Sequence, residues 1–202
     1  MTYLISIITI LVSLWAFKEP QIFQKLTFQP YLILREKRYY RFLSHALIHG
    51  SWGHLAFNML AFLSFGILVE KYYRAVWGEE GIWYYLLLYV GGAVVSSIPS
   101  FIKHKEDPYY AAIGASGAIS AVVFASILFD PLNKVYVMFI PIGIPAFIFG
   151  AVYLAISAYM AKHSKSNIGH DAHFTGALYG FLLTILLKPA LFLRFITLIS
   201  HH

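Results

Sequence analysis

Charged residues are scarce in this sequence, and cysteine is absent altogether. Asp, Glu, Lys and Arg make up 12% of the 202 residues, whereas hydrophobic residues make up 59%. A soluble domain ordinarily carries about 25% charged residues, so this chain lacks the charge to cover a surface exposed to water. The absence of cysteine excludes disulfides, thiolate metal sites and a cysteine nucleophile, and it leaves the cellular compartment open.

Long uncharged stretches are what the sequence has instead. They cover residues 1–17, 42–69, 81–102, 108–129, 135–161 and 172–187. Crossing the hydrocarbon core of a bilayer takes about 20 apolar residues, with about 17 as the lower limit. We therefore predict an all-α polytopic membrane protein, a single domain over residues 1–202. Its six spans are expected at about residues 2–17, 51–70, 81–102, 111–129, 135–160 and 171–187, and Pro141 and Pro145 should bend or loosen the first turns of the fifth.

The longest connection, at about residues 18–50, is expected to lie in the membrane interface. Arg38 and Arg41 alternate there with Tyr39, Tyr40 and Phe42, which suits rings that point inward and cations that point outward at the headgroup level. The net charge is +6, but the cations are scattered over loops and do not form one stripe. We expect the lipid bilayer as their partner and no nucleic acid.

Polar residues at the predicted spans form three sets, and such residues point to function because they are costly inside a bilayer. The sets are His45, His49, His54 and Asn58 around the second span, residues 114–121 at the start of the fourth, and residues 172–180 at the start of the sixth. Ser116 and His173 each lie near the start of an even-numbered span. Alternating topology therefore places both at similar depth on the same side of the membrane.

Stripes of small residues would let the fourth and sixth spans approach each other closely. The stripes are Gly117, Ala121 and Ala125 on the fourth span and Gly176 and Gly180 on the sixth. If they face each other, Ser116 and His173 come within hydrogen-bond reach, as a nucleophile and its base require. The alternative is that the small residues only pack the helices and that Ser116 hydrogen-bonds its own backbone.

Donors for the oxyanion of an acyl transfer are available on the second span. His54 and Asn58 are four residues apart on one helix face, and with the Ser116 backbone amide they would supply such donors. The alternative is that they only bond across helices. Asp171 lies two positions before His173, roughly 200° around the helix, so a dyad is favoured over a triad.

Three motifs resemble those of the rhomboid family of intramembrane serine proteases. They are the His54-x-x-x-Asn58 pair, Gly114-Ala115-Ser116-Gly117 and Ala172-His173-x-x-Gly176-x-x-x-Gly180, on spans two, four and six. The resemblance implies a six-transmembrane-helix rhomboid bundle that cuts membrane proteins within or beside a transmembrane helix, with no metal and no other cofactor. It implies Ser116 as nucleophile and His173 as general base and then acid. It also implies an oxyanion hole made of His54, Asn58 and the Ser116 backbone amide.

Further residues are expected to support the site. The structural set is Gly114, Gly117, Gly176, Gly180, Arg41 and Glu70. The resemblance implies that Tyr40-Arg41 fixes the first loop and that Glu70 ties the end of the second span to its neighbours. Many members of the family stack an aromatic residue, four positions after the serine, on the histidine, and this chain has Ser120 there. Ser120 bonded to the ring or to a water, or another aromatic such as Phe174 or Tyr179, would then hold His173.

The resemblance also implies where the protein lies and what it acts on. We expect an integral protein of the bacterial inner membrane, with both termini in the cytoplasm, an active site that opens to the outside, and single-span or other membrane-protein substrates. The positive-inside rule points the other way, because loops on the side of Ser116 hold ten of the 15 Lys and Arg. Most of the ten lie in the interfacial first loop, so we follow the family. The ten are Lys18, Lys25, Arg35, Lys37, Arg38, Arg41, Lys103, Lys105, Lys162 and Lys165.

Two other functions fit parts of the sequence. The pairs His45-x-x-x-His49 and His170-x-x-His173 resemble the histidine boxes of membrane di-iron hydroxylases and desaturases, although those enzymes need more histidine clusters than this chain offers. A catalytically inactive rhomboid-like binding protein is the other alternative. Such a protein would be expected to lack the serine or the histidine, and both are present.

Overall fold

A computed structural model describes residues 1–136, 142–163 and 169–201 of the chain. Its α-helices are α1 Thr2–Lys18, α2 Pro20–Leu26, α3 Pro30–Glu36, α4 Arg41–Ser44, α5 Trp52–Trp77, α6 Gly81–His104, α7 Ser116–Phe129, α8 Ala146–His163, α9 His170–Leu187 and α10 Ala190–Ser200. A short antiparallel hairpin, β1 Lys134–Tyr136 and β2 Gly143–Pro145, pairs Val135 with Ile144. Apart from this hairpin, the described part of the chain has the predicted all-α architecture.

Helix α7 lies at the centre of the molecule. Thirteen of its 14 residues are buried, and its sequence is apolar all round, as expected of a helix enclosed by other helices. Helices α5, α6 and α9 pack against α7, and α8 and α10 also contact it. The enclosure of α7 fixes the position of its first residue, Ser116.

Helix α1 packs with its small polar residues inward. Its buried stripe against α5 consists of Thr2, Ser6, Thr9, Ser13 and Ala16. Large apolar side chains on its other faces are exposed, among them Leu4, Ile7 and Leu11. This pattern is the reverse of that in a water-soluble helix, and small residues at helix interfaces are typical of packing in a membrane.

Two continuous helical stretches in the described residues are long and apolar enough to cross a membrane. They are Trp52–His104, in which a 3₁₀ turn joins α5 to α6, and Ala146–His163. Helices α9 and α10 pass the same test together but are bent by 113° at the break between them, and α1 and α7 are apolar but shorter. These helices support an integral membrane protein, whereas the count of six spans stays a prediction.

The fourth and fifth predicted spans begin later in the structure than expected. Helix α7 begins at Ser116 and not near residue 111, because Ala112 pairs with Phe28 in a β-bridge and the Gly114 N–H donates to the His45 carbonyl at 2.9 Å. Helix α8 begins at Ala146 and not near residue 135, because the hairpin occupies its expected first turns. Pro145 ends β2, and Pro141 lies outside the described residues.

Helix α10 lies beyond the six spans predicted from the sequence. Lys188 and Pro189 separate it from α9, and proline favours the start of a new helix because its missing N–H is not needed there. Leu191 is buried, whereas Phe192 and Leu193 are exposed. The apolar sequence therefore continues through α10, beyond the last predicted span, although the chain changes direction between α9 and α10.

The first loop is folded into α2, α3 and α4, and Arg41 ties its parts together. Arg41 is 1% exposed. Its guanidinium donates to the carbonyl oxygens of Thr27 and Gln24, the latter at 3.1 Å, and to Gln29 Oε1 at 3.0 Å. Charge-assisted bonds of this kind are stronger than neutral ones, so Arg41 holds α2 and the following turn against α4.

Glu70 joins α5 to the first turn of α1. Its carboxylate accepts hydrogen bonds from the Thr2 backbone N–H and the Thr2 hydroxyl, both at 2.8 Å, and from the Met1 amino group at 2.7 Å. The first N–H groups of a helix lack partners within the helix and favour negative charge. Glu70 therefore satisfies the start of α1 while it holds the two helices together.

Candidate active site

Ser116 and His173 lie within hydrogen-bond distance of each other. Ser116 is the first residue of α7, and His173 lies in the first turn of α9, where its backbone N–H donates to the Gly169 carbonyl at 3.0 Å. Ser116 Oγ and His173 Nε2 are 2.8 Å apart. If the Ser116 hydroxyl donates to Nε2, the ring proton of a neutral His173 resides on Nδ1. This is the arrangement in which a histidine can accept the proton of a serine nucleophile.

Direct backbone contact between α7 and α9 makes this distance possible. A Cβ built on Gly176 would overlap the Gly117 carbonyl oxygen, and a Cβ built on Gly180 would overlap the Ala121 carbonyl oxygen. A Cβ built on Gly117 would in turn overlap the hydroxyl of Ser96 on α6. The two stripes of small residues therefore face each other, and α6 closes against the same point.

The start of α7 offers a backbone donor beside the Ser116 side chain. The helical hydrogen-bond ladder starts with the Ile119 N–H, which donates to the Ala115 carbonyl at 2.9 Å, and no side chain caps the helix. The Ser116 N–H thus lies ahead of the ladder, at the positive end of the helix dipole. A negative oxygen on an acyl group attached to Ser116 Oγ would be stabilised there.

His54 approaches the same region across Gly114. Gly114 has a φ of +105°, and a Cβ on it would lie 2.8 Å from His54 Nε2, so only glycine leaves room for the imidazole. The Gly50 N–H donates to His54 Nδ1 at 3.4 Å. A neutral His54 therefore carries its proton on Nε2, and this N–H lies beside the loop that leads into Ser116.

His49 supports the His54 ring from the side. The two ring centroids are 4.9 Å apart with an interplanar angle of 75°, which is the favourable edge-to-face arrangement. His49 Nδ1 lies 3.0 Å from the Ser13 hydroxyl of α1. Burial lowers the pKa of His49 to about 4, and His54 adds to the shift, so the His49 ring is neutral at pH 7.

Asn58 lies one turn further along α5 and is buried. Its Nδ2 donates to the His54 carbonyl at 2.9 Å, and its Oδ1 has no hydrogen-bond partner among the described residues. The bond to His54 uses one of the two amide hydrogens, which leaves the second for a further acceptor. Asn58 is therefore anchored within α5, and its side chain also lies next to that of His49.

Asp171 is engaged by α6. Its Oδ2 accepts a hydrogen bond from the Ser100 hydroxyl at 2.7 Å, and its Oδ1 accepts one from the Ala172 N–H at 2.8 Å. Both carboxylate oxygens thus have partners that belong to the start of α9 or to α6. The carboxylate ties these two helices together, next to the turn that carries His173.

An aromatic ring lies beside His173, and it comes from α8. The centroids of Tyr153 and His173 are 6.3 Å apart with an interplanar angle of 29°, and the Tyr153 hydroxyl lies 2.7 Å from Ser120 Oγ. The expected partner of the His173 ring was Ser120, directly or through a water, or another aromatic such as Phe174 or Tyr179, and Tyr153 was missed. Tyr179 donates instead to a backbone carbonyl of α6 at 3.1 Å.

The spacing of small residues in α8 was the signal for Tyr153. The buried residues of this helix are Ala146, Gly150 and Ser157. Tyr153 lies three positions after Gly150 and four before Ser157, so it shares their face. A small-residue stripe marks the side of a membrane helix that packs against its neighbours, and Tyr153 is the aromatic residue within it.

The remaining histidines do not gather into a metal site in the residues that the structure describes. No group of three or more His, Cys, Asp or Glu side chains there could hold a metal ion. His45 packs against Phe28 with ring centroids 5.3 Å apart, and His170 lies edge-on to His173 at 6.0 Å. The histidine-box alternative thus finds no set of ligands in the described ranges.

Comparison with known protein families bears on this site directly. The model of the rhomboid domain matches residues 36–190, which is more than three quarters of the chain. The chain belongs to the rhomboid family. The matched range holds Ser116, His173 and the other members of the candidate site, and the recognition of the family from three short motifs is confirmed.

Curated relatives are similar to this rhomboid chain over most of its length. Rhomboid protease GluP of Bacillus subtilis is 30% identical over 74% of this chain and 26% of the relative. Rhomboid protease GlpG of Haemophilus influenzae is 26% identical over 73% of this chain and 69% of the relative. RHOMBOID-like protein 12, mitochondrial, of Arabidopsis thaliana is 26% identical over 69% of this chain and 44% of the relative. The match thus spans less than half the length of two of these three relatives.

Replacement of Gly176 by valine should separate α9 from α7 and abolish any hydrolysis that depends on the contact of Ser116 with His173, although both residues remain. The added Cβ would overlap the Gly117 carbonyl, and a 1 Å misplacement of reacting groups can lower a rate about 100-fold. The rate is measured with the purified full chain and a fluorogenic single-span substrate. Gly53→Val is the control, because a Cβ on Gly53 meets no atom closer than 4.0 Å, and it should keep the wild-type rate. Full activity of Gly176→Val would show that the two helices do not touch there.

Proposed function

We propose that this rhomboid chain is an intramembrane serine endopeptidase that hydrolyses a peptide bond of a membrane protein with a Ser116/His173 dyad. The observation that carries the proposal is the 2.8 Å separation of Ser116 Oγ and His173 Nε2. Relatives that are named proteases support the reaction class. No metal or other cofactor takes part in the proposed reaction.

The reaction begins when Ser116 Oγ attacks the carbonyl carbon of the scissile bond. His173 Nε2 accepts the hydroxyl proton, and the carbonyl oxygen becomes a tetrahedral oxyanion. When the intermediate collapses, the C–N bond breaks and the amine leaves with the proton from His173. A water then attacks the acyl-enzyme with His173 as base, which releases the acid product and restores Ser116.

The oxyanion is stabilised by donors on two helices. The Ser116 N–H lies at the start of α7, and the Nε2–H of His54 approaches across Gly114. The second amide hydrogen of Asn58 supplies a further donor. Donors that are already in place act on the developing charge without reorganisation, which is why such sites contribute strongly to catalysis.

The length of α7 supports cleavage close to one membrane surface. Its 14 residues make it about 21 Å long, which is shorter than the hydrocarbon core of about 30 Å. If the other end of α7 lies at the opposite surface, Ser116 lies within the hydrocarbon core, where loop backbone is tolerated only if protein or a water-filled cavity surrounds it. A helical substrate must unwind to expose its carbonyl groups, so we expect substrates with small or helix-breaking residues near that surface.

The dyad predicts that Ser116→Ala and His173→Ala each remove nearly all turnover and that the double mutant is no slower than either. Non-additive losses are expected because both residues serve one step. Turnover of a fluorogenic single-span substrate measures catalysis, and labelling by a fluorophosphonate measures whether Ser116 acts as a nucleophile. Ser126→Ala is the matched control, because this buried serine of α7 donates only to the Val123 carbonyl in the structure, and it should leave turnover and labelling unchanged. Labelling that persists in Ser116→Ala would contradict the assignment of the nucleophile.

The oxyanion hole predicts that Asn58→Ala slows turnover by about 100- to 1,000-fold, the range for the loss of one such donor. The effect should fall on kcat more than on KM, because the negative charge on the oxygen develops after the substrate has bound, in the transition state and the tetrahedral intermediate. Steady-state kinetics with the same substrate separate the two constants. An unchanged rate would mean that Asn58, which is already bonded to His54, serves only to hold α5.

The proposed location is the bacterial inner membrane, with the termini in the cytoplasm and the active site open to the outside. Reporter fusions after Ser200 and at residues 78–80 should therefore report a cytoplasmic position, whereas a fusion within residues 103–107 should report an external one. The first two sites serve as controls for each other, because alternating spans place them on the same side. The reverse pattern would contradict the proposed orientation and would agree with the count of Lys and Arg in the loops.

A further inference from the structure

A ring of contacts that begins and ends at Ser116 links the candidate catalytic residues to α8. Ser116 Oγ lies 2.8 Å from His173 Nε2, and the His173 ring lies beside the Tyr153 ring. The Tyr153 hydroxyl lies 2.7 Å from Ser120 Oγ, which in turn lies 2.8 Å from the Ser116 carbonyl oxygen. Both the side chain and the carbonyl oxygen of Ser116 are thus part of this ring of contacts.

The directions of the two hydroxyl bonds follow from the number of protons available. Ser120 has one hydroxyl proton, and a carbonyl oxygen can only accept. Ser120 therefore donates to the Ser116 carbonyl, and it accepts the proton of Tyr153. Both hydroxyl groups are satisfied in this way, so the phenol ring has a fixed position relative to the backbone of Ser116.

We propose that Tyr153, held by Ser120, is a positioning residue that orients the imidazole of His173 for proton transfer with Ser116. The proposal rests on the proposed dyad. The hydrogen bond to Ser116 leaves the imidazole free to tilt about that contact, and a ring packed on its face restricts this motion. Two aromatic rings at a centroid distance of 6.3 Å lie within the range of offset stacking.

The alternative that Tyr153 only fills space in the core fits the contacts of α8 less well. The faces of α8 that do not pack against protein expose Ile148, Val152 and Ile156, so apolar residues are available in this helix and the buried stripe is otherwise made of small ones. Tyr153 is partly buried, and a hydroxyl group that is removed from water is costly unless it finds a partner. Ser120 supplies this partner from α7.

The test compares Tyr153→Phe, Tyr153→Leu and Ser120→Ala with the wild-type protein in steady-state turnover of a single-span substrate. Tyr153→Leu removes the ring and should lower kcat about 10- to 100-fold, as expected for a misaligned base, with KM changed less than about threefold. Tyr153→Phe keeps the ring and should therefore keep most of the kcat that Tyr153→Leu loses. Its remaining deficit, about 2- to 10-fold, is the size expected for one lost hydrogen bond.

Ser120→Ala should show at least the deficit of Tyr153→Phe, because it removes the same hydrogen bond and also the one to the Ser116 carbonyl. The double mutant should be no slower than Ser120→Ala alone, because the two changes share the bond between Tyr153 and Ser120. Tyr159→Leu is the control, since this aromatic residue of α8 is 62% exposed, and it should keep the wild-type kcat. Thermal unfolding of each variant separates a loss of fold from a loss of alignment. If Tyr153→Leu does not fold, the cycle of Tyr153→Phe and Ser120→Ala still decides the question.

A wild-type kcat in Tyr153→Leu would overturn the proposal, and so would losses that add up in the double mutant or that appear in KM alone. The parent proposal fails separately. If Ser116→Ala keeps its turnover, the dyad itself is wrong; if Ser116→Ala is inactive while Tyr153→Leu is normal, only the positioning role of Tyr153 is wrong.

Discussion

The contact of the α9 backbone with the α7 backbone is the constraint on which the rest of the structure depends. Gly176 and Gly180 lie so close to carbonyl groups of α7 that neither position has room for a Cβ. Only at this separation does the short side chain of Ser116 reach the His173 ring. Helix α6 and the start of α9 are then held to each other through Ser100 and Asp171, which fixes the turn that carries the histidine.

The first loop forms a hydrogen-bonded frame for the non-helical segment that leads into Ser116. Arg41 holds the turn around Thr27, and the next residue, Phe28, pairs with Ala112 through two backbone bonds of 3.0 Å. Gly114 then bonds to His45 and leaves room for His54. Exposed backbone polar groups are not tolerated at membrane depth, so this frame supplies the partners that the missing first turn of α7 would otherwise have provided.

The sequence revealed what depends on local pattern and missed what depends on contacts between distant residues. Uncharged runs located the long helices, and the spacing of glycines around Ser116 and His173 indicated which helix faces meet. The predicted start of the fourth span, near residue 111, was wrong because residues 111–115 are as apolar as α7 itself. Only their pairing with the first loop shows that they are not helical. Tyr153 was missed because hydropathy does not distinguish an aromatic that faces protein from one that faces lipid. Helix α10 was missed because Lys188 and Pro189 end the apolar run.

The burial of α7 separates the depth of the serine from the thickness of the bilayer. A helix that contacts lipid adapts to a thicker or thinner membrane by tilting or by deforming the bilayer around it. Thirteen of the 14 residues of α7 are covered by protein, so hydrophobic mismatch acts on the outer helices such as α1 and α8, whose apolar side chains are exposed. Ser116 therefore keeps a depth set by its neighbours in the bundle. In the proposed reaction, a membrane of different thickness would then change how far a substrate helix extends past the serine.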